Sequence, residues 1–251
     1  MNETKFDGMG KIYAQFRPSY PDELFDYLYT DGGIKKSSVI ADIGSGTGKL
    51  TMALLEKGNT VFAVEPNEDM RKVAEQNLKA YDGFVSVNST AENTGLKEAS
   101  IDIITVAQAF HWFDRQRFRA ECKRVLKPGG MVVLVYNRRN EKSEQARENY
   151  RISKKYCPAF GGFSGGMSGE KSKDDFSDFF CGEYEVKEFN NDLVFDEEGF
   201  IGRNLSGSYA LKENDEGYTG FIEELKGLFE KFSENGCLTM SNFTRSYIGK
   251  V

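Results

Sequence analysis

The sequence predicts an α/β fold in which a mostly parallel β-sheet is covered by helices on both faces. Short apolar runs rich in β-branched residues alternate with stretches of helical periodicity from Val39 to Tyr136. Continuous apolar strands indicate a sheet that is buried on both faces, and their alternation with helices is typical of parallel βαβ units. Crossovers in such sheets are right-handed, so ligands bind at the carboxyl ends of the strands.

The apolar pattern assigns an element to most of the chain. Predicted strands cover residues 39–43, 60–65, 84–87, 101–106, 131–136, 184–195 and 237–248. Predicted helices cover residues 22–29, 49–57, 68–78, 115–126, 141–156, 196–205 and 216–235. A segment rich in glycine and serine, residues 158–173, interrupts this pattern. Because it can bury little apolar surface, we expect it to be a mobile or lid-like connection.

Three glycines at alternate positions, Gly44, Gly46 and Gly48, lie between the first predicted strand and the following helix. Glycine tolerates positive φ and lets a ligand approach where a Cβ atom would collide. The N-terminus of the next helix presents unpaired N–H groups that can hold a polar or anionic group. The stretch therefore predicts a ligand-binding loop. Its spacing departs from the dinucleotide-binding motif Gly-x-Gly-x-x-Gly, because the third glycine comes one residue early.

The glycine run, Asp42-Ile43-Gly44-Ser45-Gly46-Thr47-Gly48, is followed by Glu65 at the end of the second predicted strand. This pair resembles the class I methyltransferases that use S-adenosylmethionine (AdoMet), whose first motif is Asp-x-Gly-x-Gly-x-Gly and whose second strand ends in an acid. The segments Ala-Gln-Ala-Phe-His-Trp-Phe-Asp at 107–114 and Arg-Val-Leu-Lys-Pro-Gly-Gly at 124–130 are similar to the trans-aconitate methyltransferase-like and ubiquinone/menaquinone-biosynthesis-like subgroup. The resemblance weakens after about residue 140.

The resemblance implies a Rossmann-like, doubly wound sheet of seven strands, mostly parallel with an antiparallel last strand, together with an N-terminal lid and a helical cap insertion. The expected division of the single domain 1–251 is a lid and helix at 1–33, an AdoMet-binding core at 34–140, a flexible cap insertion at 141–182 and a part that completes the sheet at 183–251.

The resemblance also implies a cofactor site, with AdoMet as methyl donor and S-adenosylhomocysteine as product. Glu65 would bind the ribose diol, and Ala91 and Glu92 would receive the adenine amino group. Met70 would pack on the adenosine, although core packing is the commoner fate of a helical methionine. The alternative is that Thr90 caps a helix and Glu92 is a solvated acid. The expected cofactor-binding residues are Asp42, Gly44, Ser45, Gly46, Thr47, Gly48, Glu65, Pro66, Met70, Ala91, Glu92, Gln108 and Ala109.

The only histidine and the only tryptophan of the chain, His111 and Trp112, are adjacent at the tip of the fourth predicted strand. Strand tips are active-site positions in open α/β sheets, so His111 is the candidate catalytic residue and Trp112 a candidate wall of the substrate pocket. The alternative is a structural histidine. Further candidate substrate-binding residues are Tyr13, Arg17 and Tyr20, which would face the pocket from the lid or else pin the N-terminal arm, and Arg203.

Composition limits the partners. Lysine and arginine number 33 against 39 acids, giving a net charge of −6 without a basic tract, so a nucleic-acid partner is not expected. The four cysteines are widely spaced, which predicts neither a metal site nor a disulfide framework. The sequence shows no signal-peptide pattern and no apolar stretch of about 18 residues. We therefore expect a soluble, cytoplasmic protein, monomeric or homodimeric, with no membrane partner.

The functional hypothesis is in-line methyl transfer from AdoMet to a small-molecule acceptor, whose nucleophile is a carboxylate, hydroxyl, amine or activated carbon. One alternative is C-methylation of a quinone-like ring, and another is a protein that binds AdoMet or S-adenosylhomocysteine without turnover. An NAD-dependent oxidoreductase is disfavoured by the glycine spacing and by the absence of a Tyr-x-x-x-Lys pattern beside a serine.

Overall fold

The computed structural model describes residues 19–163, 175–207 and 209–251. The helices are α1 (Asp22–Thr30), α2 (Lys49–Glu56), α3 (Glu68–Leu78), α4 (Arg115–Val125), α5 (Glu144–Tyr156), α6 (Glu197–Leu205) and α7 (Tyr218–Phe232). The strands are β1 (Val39–Ile43), β2 (Thr60–Val64), β3 (Phe84–Val87), β4 (Ile101–Ala107), β5 (Leu126–Arg139), β6 (Glu185–Asn190), β7 (Leu193–Phe195), β8 (Leu238–Met240) and β9 (Asn242–Gly249).

Seven strands form one sheet in the order β3-β2-β1-β4-β5-β9-β6. The pairs from β3 to β5 are parallel, and β9 is antiparallel to both β5 and β6. The predicted Rossmann-like sheet with an antiparallel last strand is therefore confirmed. Strand β5 is longer than the sequence predicted, because pairing with β4 already begins at Leu126 and continues after a register shift.

The central strands of the sheet are buried on both faces, as their continuous apolar residues predicted, whereas the edge strand β6 is largely exposed. Alternate residues of β1 enter opposite clusters, since Ile40 packs with α1, α2 and α3 whereas Ala41 and Ile43 pack with α4. Alternation of side chains across a strand produces this division. Phe176 and Phe179, which follow the undescribed residues 164–174, are buried in the same cluster as α4.

A third hydrophobic cluster joins α5, α6 and α7 to a small antiparallel sheet of β7 and β8. We call this unit the cap. Two predictions of single strands are wrong here, because residues 184–195 divide into β6 and β7, and residues 237–248 divide into β8 and β9. The bend is fixed by hydrogen bonds from Asn191 N–H to Asn242 O and from Asn242 N–H to Asp192 Oδ1, both 2.9 Å. Apolar residues lie on both sides of each bend, so the apolar pattern did not reveal it.

A polar network around the buried Thr244 joins the sheet, the bend and the N-terminal end of the described chain. Thr244 Oγ1 donates to Asn137 Oδ1 at 2.6 Å, and Asn191 Nδ2 donates to Thr244 Oγ1 at 3.0 Å. Both Asn137 Nδ2 and Asn191 Nδ2 donate to Ser19 O, at 3.1 and 3.2 Å. The network therefore holds Ser19, and with it the neighbouring Tyr20, beside the end of β5.

Replacing Thr244 with valine should lower the free energy of unfolding by about 1–2 kcal/mol, because it removes a buried hydroxyl that both donates and accepts at nearly constant volume. Urea denaturation measures the change. Thr239→Val is the matched control, since Thr239 is exposed on the neighbouring strand β8. Equal effects of the two substitutions would contradict a stabilising role for the network.

Candidate active site

A cavity of about 420 Å³ lies at the carboxyl ends of β1, β4 and β5, with the cap on its far side. Small-molecule sites usually enclose roughly 300–1,000 Å³. Ten predicted site residues line the cavity: Tyr20, Asp42, Gly44, Ser45, Gly46, Thr47, Gln108, His111, Trp112 and Arg203. Gly48, Glu65, Pro66, Met70, Ala91, Glu92 and Ala109 do not line it, and Tyr13 and Arg17 lie outside the described residues.

The three glycines of the loop have different roles. A Cβ atom on Gly44 (φ +67°) would lie 2.6 Å from Ala109 Cβ, and one on Gly48 (φ +82°) would lie 2.6 Å from Leu78 Cδ1. These two glycines allow close packing of the loop. For Gly46 (φ +57°), the described residues place no atom within 4 Å of the corresponding position. The middle glycine therefore faces the space that a ligand would occupy.

Two hydroxyl groups of the same loop are buried without a partner in the described part of the chain. They are Ser45 Oγ and Thr47 Oγ1, and both residues line the cavity. A buried polar atom that lacks a hydrogen bond costs about 1–3 kcal/mol. A polar ligand in the cavity could satisfy both hydroxyls.

Asp42 forms the floor of the cavity and is hydrogen-bonded on both carboxylate oxygens. Thr51 Oγ1 donates to Oδ2 at 2.6 Å, and Thr105 Oγ1 donates to Oδ1 at 3.0 Å. Burial raises the pKa of Asp42 from 3.8 to about 6, against the lowering effect of these hydrogen bonds. The carboxylate is still ionised at neutral pH, so it favours a cationic ligand group.

Glu65 lies directly behind the glycine loop. Gly46 N–H donates to its Oε2 and Asn67 N–H donates to its Oε1, each at 2.9 Å. Burial raises the pKa of Glu65, and the two backbone hydrogen bonds oppose that change. The carboxylate thus fixes the middle of the loop to the tip of β2.

The residues expected to bind the adenine end of the cofactor do not line the cavity. Glu92 Oε1 accepts the backbone N–H of Asp114 at 2.9 Å. Ala91 is buried in the cluster that contains α4, and Met70 is buried on α3. Asp114 caps α4 by accepting from Gln116 N–H and Arg117 N–H.

Gln108 connects β4 to the histidine segment in a strained conformation. Its φ is +59°, which is uncommon for a residue other than glycine. Its backbone N–H donates to Val135 O at 2.9 Å and its Nε2 to Asn137 O at 3.3 Å. This turn brings His111 to the cavity in a short 3₁₀ helix, with its ring 4.6 Å from that of Trp112. Strain of this kind is frequent at functional sites.

The sequence analysis missed several cavity residues, chiefly Lys49, Asn137, Arg139, Phe163 and Asn242. Lys49 had a local signal, since it opens α2 where the first turn contains no acid. A cation is unfavourable at a helix N-terminus, and burial lowers the pKa of Lys49. Arg139 had no such signal. Its neighbour Asn242 lies on β9, and only the pairing of β5 with β9 brings the two residues together.

In the described ranges, no group of three or more His, Cys, Asp or Glu side chains is arranged to hold a metal ion. The described helices include none with the length and apolarity needed to cross a membrane.

Comparison with known proteins agrees with this geometry. Residues 41–134 match the family model described as a methyltransferase domain. An uncharacterized methyltransferase of Mycobacterium tuberculosis is 41% identical over 136 residues, which are 54% of this chain and 53% of that protein. An uncharacterized methyltransferase of Schizosaccharomyces pombe is 30% identical over 146 residues, 55% of this chain and 57% of its own length. The chain thus spans about half the length of the curated relatives it matches.

The whole fold also has solved counterparts. The structure of a candidate type II methyltransferase from Anaeromyxobacter dehalogenans matches with a TM-score of 0.63 at 24% identity, covering 94% of this chain and 98% of that one. The chain therefore has the same Rossmann-like α/β fold as that structure. The similarity to the methyltransferase-domain family thus covers the glycine loop and the chain from β1 into β5, within residues 41–134.

The raised pKa of Asp42 has a measurable effect on stability. Native Asp42 binds its proton more tightly than the unfolded chain does, so the wild type should lose stability as pH rises from about 4 to about 6. The free energy of unfolding of the wild type minus that of Asp42→Asn should fall by up to about 3 kcal/mol over this range.

Asp102→Asn is the control with opposite sign. Burial raises the pKa of Asp102, but hydrogen bonds from Lys127 and Val39 N–H outweigh it, and the pKa lies below its usual value. The difference between wild type and Asp102→Asn should therefore rise with pH. Chemical denaturation at several pH values measures both differences in the free energy of unfolding. If the two differences change with pH in the same direction, the raised pKa of Asp42 is disproved.

Proposed function

We propose that this protein transfers a methyl group from AdoMet to a small-molecule acceptor bound between the glycine loop and the cap. The observation that carries the proposal is the pair of buried, unpartnered hydroxyls on Ser45 and Thr47 beside the open space at Gly46, within the described residues. A methyltransferase domain match over residues 41–134 supports the same cofactor.

The charges along the cavity suit the methionine part of AdoMet, which has an ammonium group, a sulfonium group and a carboxylate. The buried carboxylate of Asp42 favours the cationic groups. Lys49 and the N-terminus of α2 favour the carboxylate, since both supply positive potential. We propose that the cofactor carboxylate accounts for a lysine at an otherwise unfavourable helix position.

The adenosine part would lie toward β2 and β3. Glu65 would accept the ribose hydroxyls, because an ionised carboxylate that accepts two N–H groups retains further acceptor positions. Pro66 and Met70 at the start of α3, with Ala91 and Glu92 after β3, are proposed for the adenine end. Gly48 and Ala109 would act indirectly, by allowing the loop to pack closely.

When bound, AdoMet supplies an electrophilic methyl group, so the residues of this chain bind and orient the reactants. Fixing the in-line geometry of such a displacement can lower the barrier by roughly 7–11 kcal/mol in favourable cases. We propose that His111 accepts the proton of a hydroxyl or amine acceptor, a step that an ionised carboxylate acceptor does not require. Trp112 and the cap residues would restrict water at the reacting groups.

Substitution of Gly46 with valine should raise the dissociation constant for AdoMet by at least about tenfold, because the branched side chain enters the open space and disfavours the positive φ. Calorimetric titration with AdoMet, S-adenosylhomocysteine and NAD measures this. Gly58→Val is the control, since Gly58 also has a positive φ (+94°) and open space but does not line the cavity.

Wild-type protein should bind the two adenosyl compounds and not NAD. Absence of adenosyl binding in a folded sample, or equal binding by Gly46→Val and Gly58→Val, would contradict the proposed site. Adenosyl binding without any transfer of labelled methyl to a panel of organic acids, phenols and amines would favour a non-catalytic binding protein.

The role of His111 has its own test. For an acceptor that must lose a proton, His111→Gln should lower kcat by about 100-fold or more and leave AdoMet affinity unchanged. The pH dependence of kcat in the wild type should lose one ionisation in the variant. An unchanged kcat across the pH range would make His111 a structural residue.

A further inference from the structure

Strand β6 forms one edge of the seven-stranded sheet. It pairs with β9 on one side, and within the described part of the chain no strand lies on its other side. Five of its six residues are exposed. An edge strand presents a row of unpaired N–H and C=O groups that can pair with another chain. The outer side of β6 therefore offers its backbone to a further strand.

The extended edge begins one residue before β6. Glu185 is the register partner of Ile248 on β9, so the preceding antiparallel pair would be Tyr184 with Gly249. A Cβ atom on Gly249 would lie 3.0 Å from Tyr184 Cβ, which places the two residues side by side. The edge that can pair thus includes residue 184.

Side chains of opposite charge lie on one face of this edge. Lys187 Nζ lies 5.2 Å from the ring centroid of Tyr27 on α1. Glu185 is two residues away and faces the same side, whereas Val186 faces the other side and is 48% exposed. Among the ion pairs of the described residues, none includes Glu185 or Lys187. Both charges are therefore available to a partner.

Pairing of β6 with the same strand of a second copy is restricted by symmetry. A two-fold axis perpendicular to the sheet relates two identical antiparallel edge strands that join two sheets into one. This axis keeps each face on its own side, so opposite residues must point to the same face. One residue therefore lies at the axis and pairs with the same residue of the second copy. The two residues that flank it pair with each other.

The charges of β6 select the residue at the axis. If Glu185, Lys187 or Glu188 lay there, it would face its own charge, which is unfavourable for a directly opposite pair. With Val186 at the axis, the two exposed valines face each other. Glu185 of each copy then faces Lys187 of the other, so two pairs of opposite charge form.

The remaining registers conflict with the bend after β6. If Phe189 or Asn190 lay at the axis, the pairing would have to continue through Asn191. Asn191 is part of the bend, because its N–H donates to Asn242 O at 2.9 Å and the chain enters β7 at Leu193. The register centred on Val186 instead pairs residues 184–188 of the two copies and stays clear of the bend.

We infer that β6 joins two copies of this chain into a homodimer, with one continuous sheet and Val186 at the two-fold axis. The exposed valines cover each other on one face, and two Glu185–Lys187 pairs form on the other. Charges on an edge strand often prevent association, but here they favour one register and oppose its neighbours. Because the paired stretch is short, the dimer dissociates on dilution. The inference does not depend on the proposed function.

Sedimentation of the full chain over a series of concentrations tests the dimer. Wild-type protein should show a monomer–dimer equilibrium. Val186→Lys should raise the dissociation constant of the dimer by at least about tenfold, because two ammonium groups meet at the axis. Val85→Lys is the matched control, since Val85 is 37% exposed on β3 at the opposite edge of the sheet. A wild type that is monomeric throughout, or equal effects of the two substitutions, would overturn the inference.

Exchange of the two charges tests the register. Glu185→Lys and Lys187→Glu should each weaken the dimer by at least about tenfold, because each substitution brings like charges together at two places. The double variant restores opposite charges, so its dissociation constant should return to within about threefold of the wild-type value. Circular dichroism confirms that each variant is folded. A folded double variant that dimerises no better than the single variants would show that these residues do not pair, and the inference would be wrong.

Discussion

The buried carboxylate of Asp42 joins three elements at the centre of the molecule. It accepts hydrogen bonds from Thr105, its register partner on β4, and from Thr51 on α2. The glycine loop lies between β1 and α2, so this one group fixes the position of the loop relative to the tip of β4. Its negative charge is costly to bury, and its hydroxyl partners offset part of that cost.

Hydrogen bonds to the large sheet likewise fix the position of the cap. The bend at Asn191 and Asp192, paired with Asn242, joins β6 and β9 of the large sheet to β7 and β8 of the small one. As a result, Arg203 on α6 lines the same cavity as the glycine loop, although the two lie far apart in sequence. Because the bend and the end of β5 share hydrogen bonds through Asn137, the cap and the end of β5 are held by one connected network.

Several features that cost free energy lie in the cavity. They include the positive φ of Gln108, the unpartnered hydroxyls of Ser45 and Thr47, the lysine at a helix N-terminus and the raised pKa of Asp42. Elsewhere in the described chain, apolar residues of the sheet pack into continuous clusters on both faces. Destabilising features that lie close together are typical of functional sites.

The sequence by itself determined the α/β class, the glycine loop and most element bounds in the core, including α3 and β3 at the predicted residues. These are encoded locally, because hydrophobic periodicity, caps and glycine spacing act within a few residues. Only the tertiary structure decided the bends in β6–β7 and β8–β9, and only it brought Arg139, Asn242 and Arg203 to one wall. Strand register and the packing of the cap set those contacts, and neither is encoded within a short stretch of sequence.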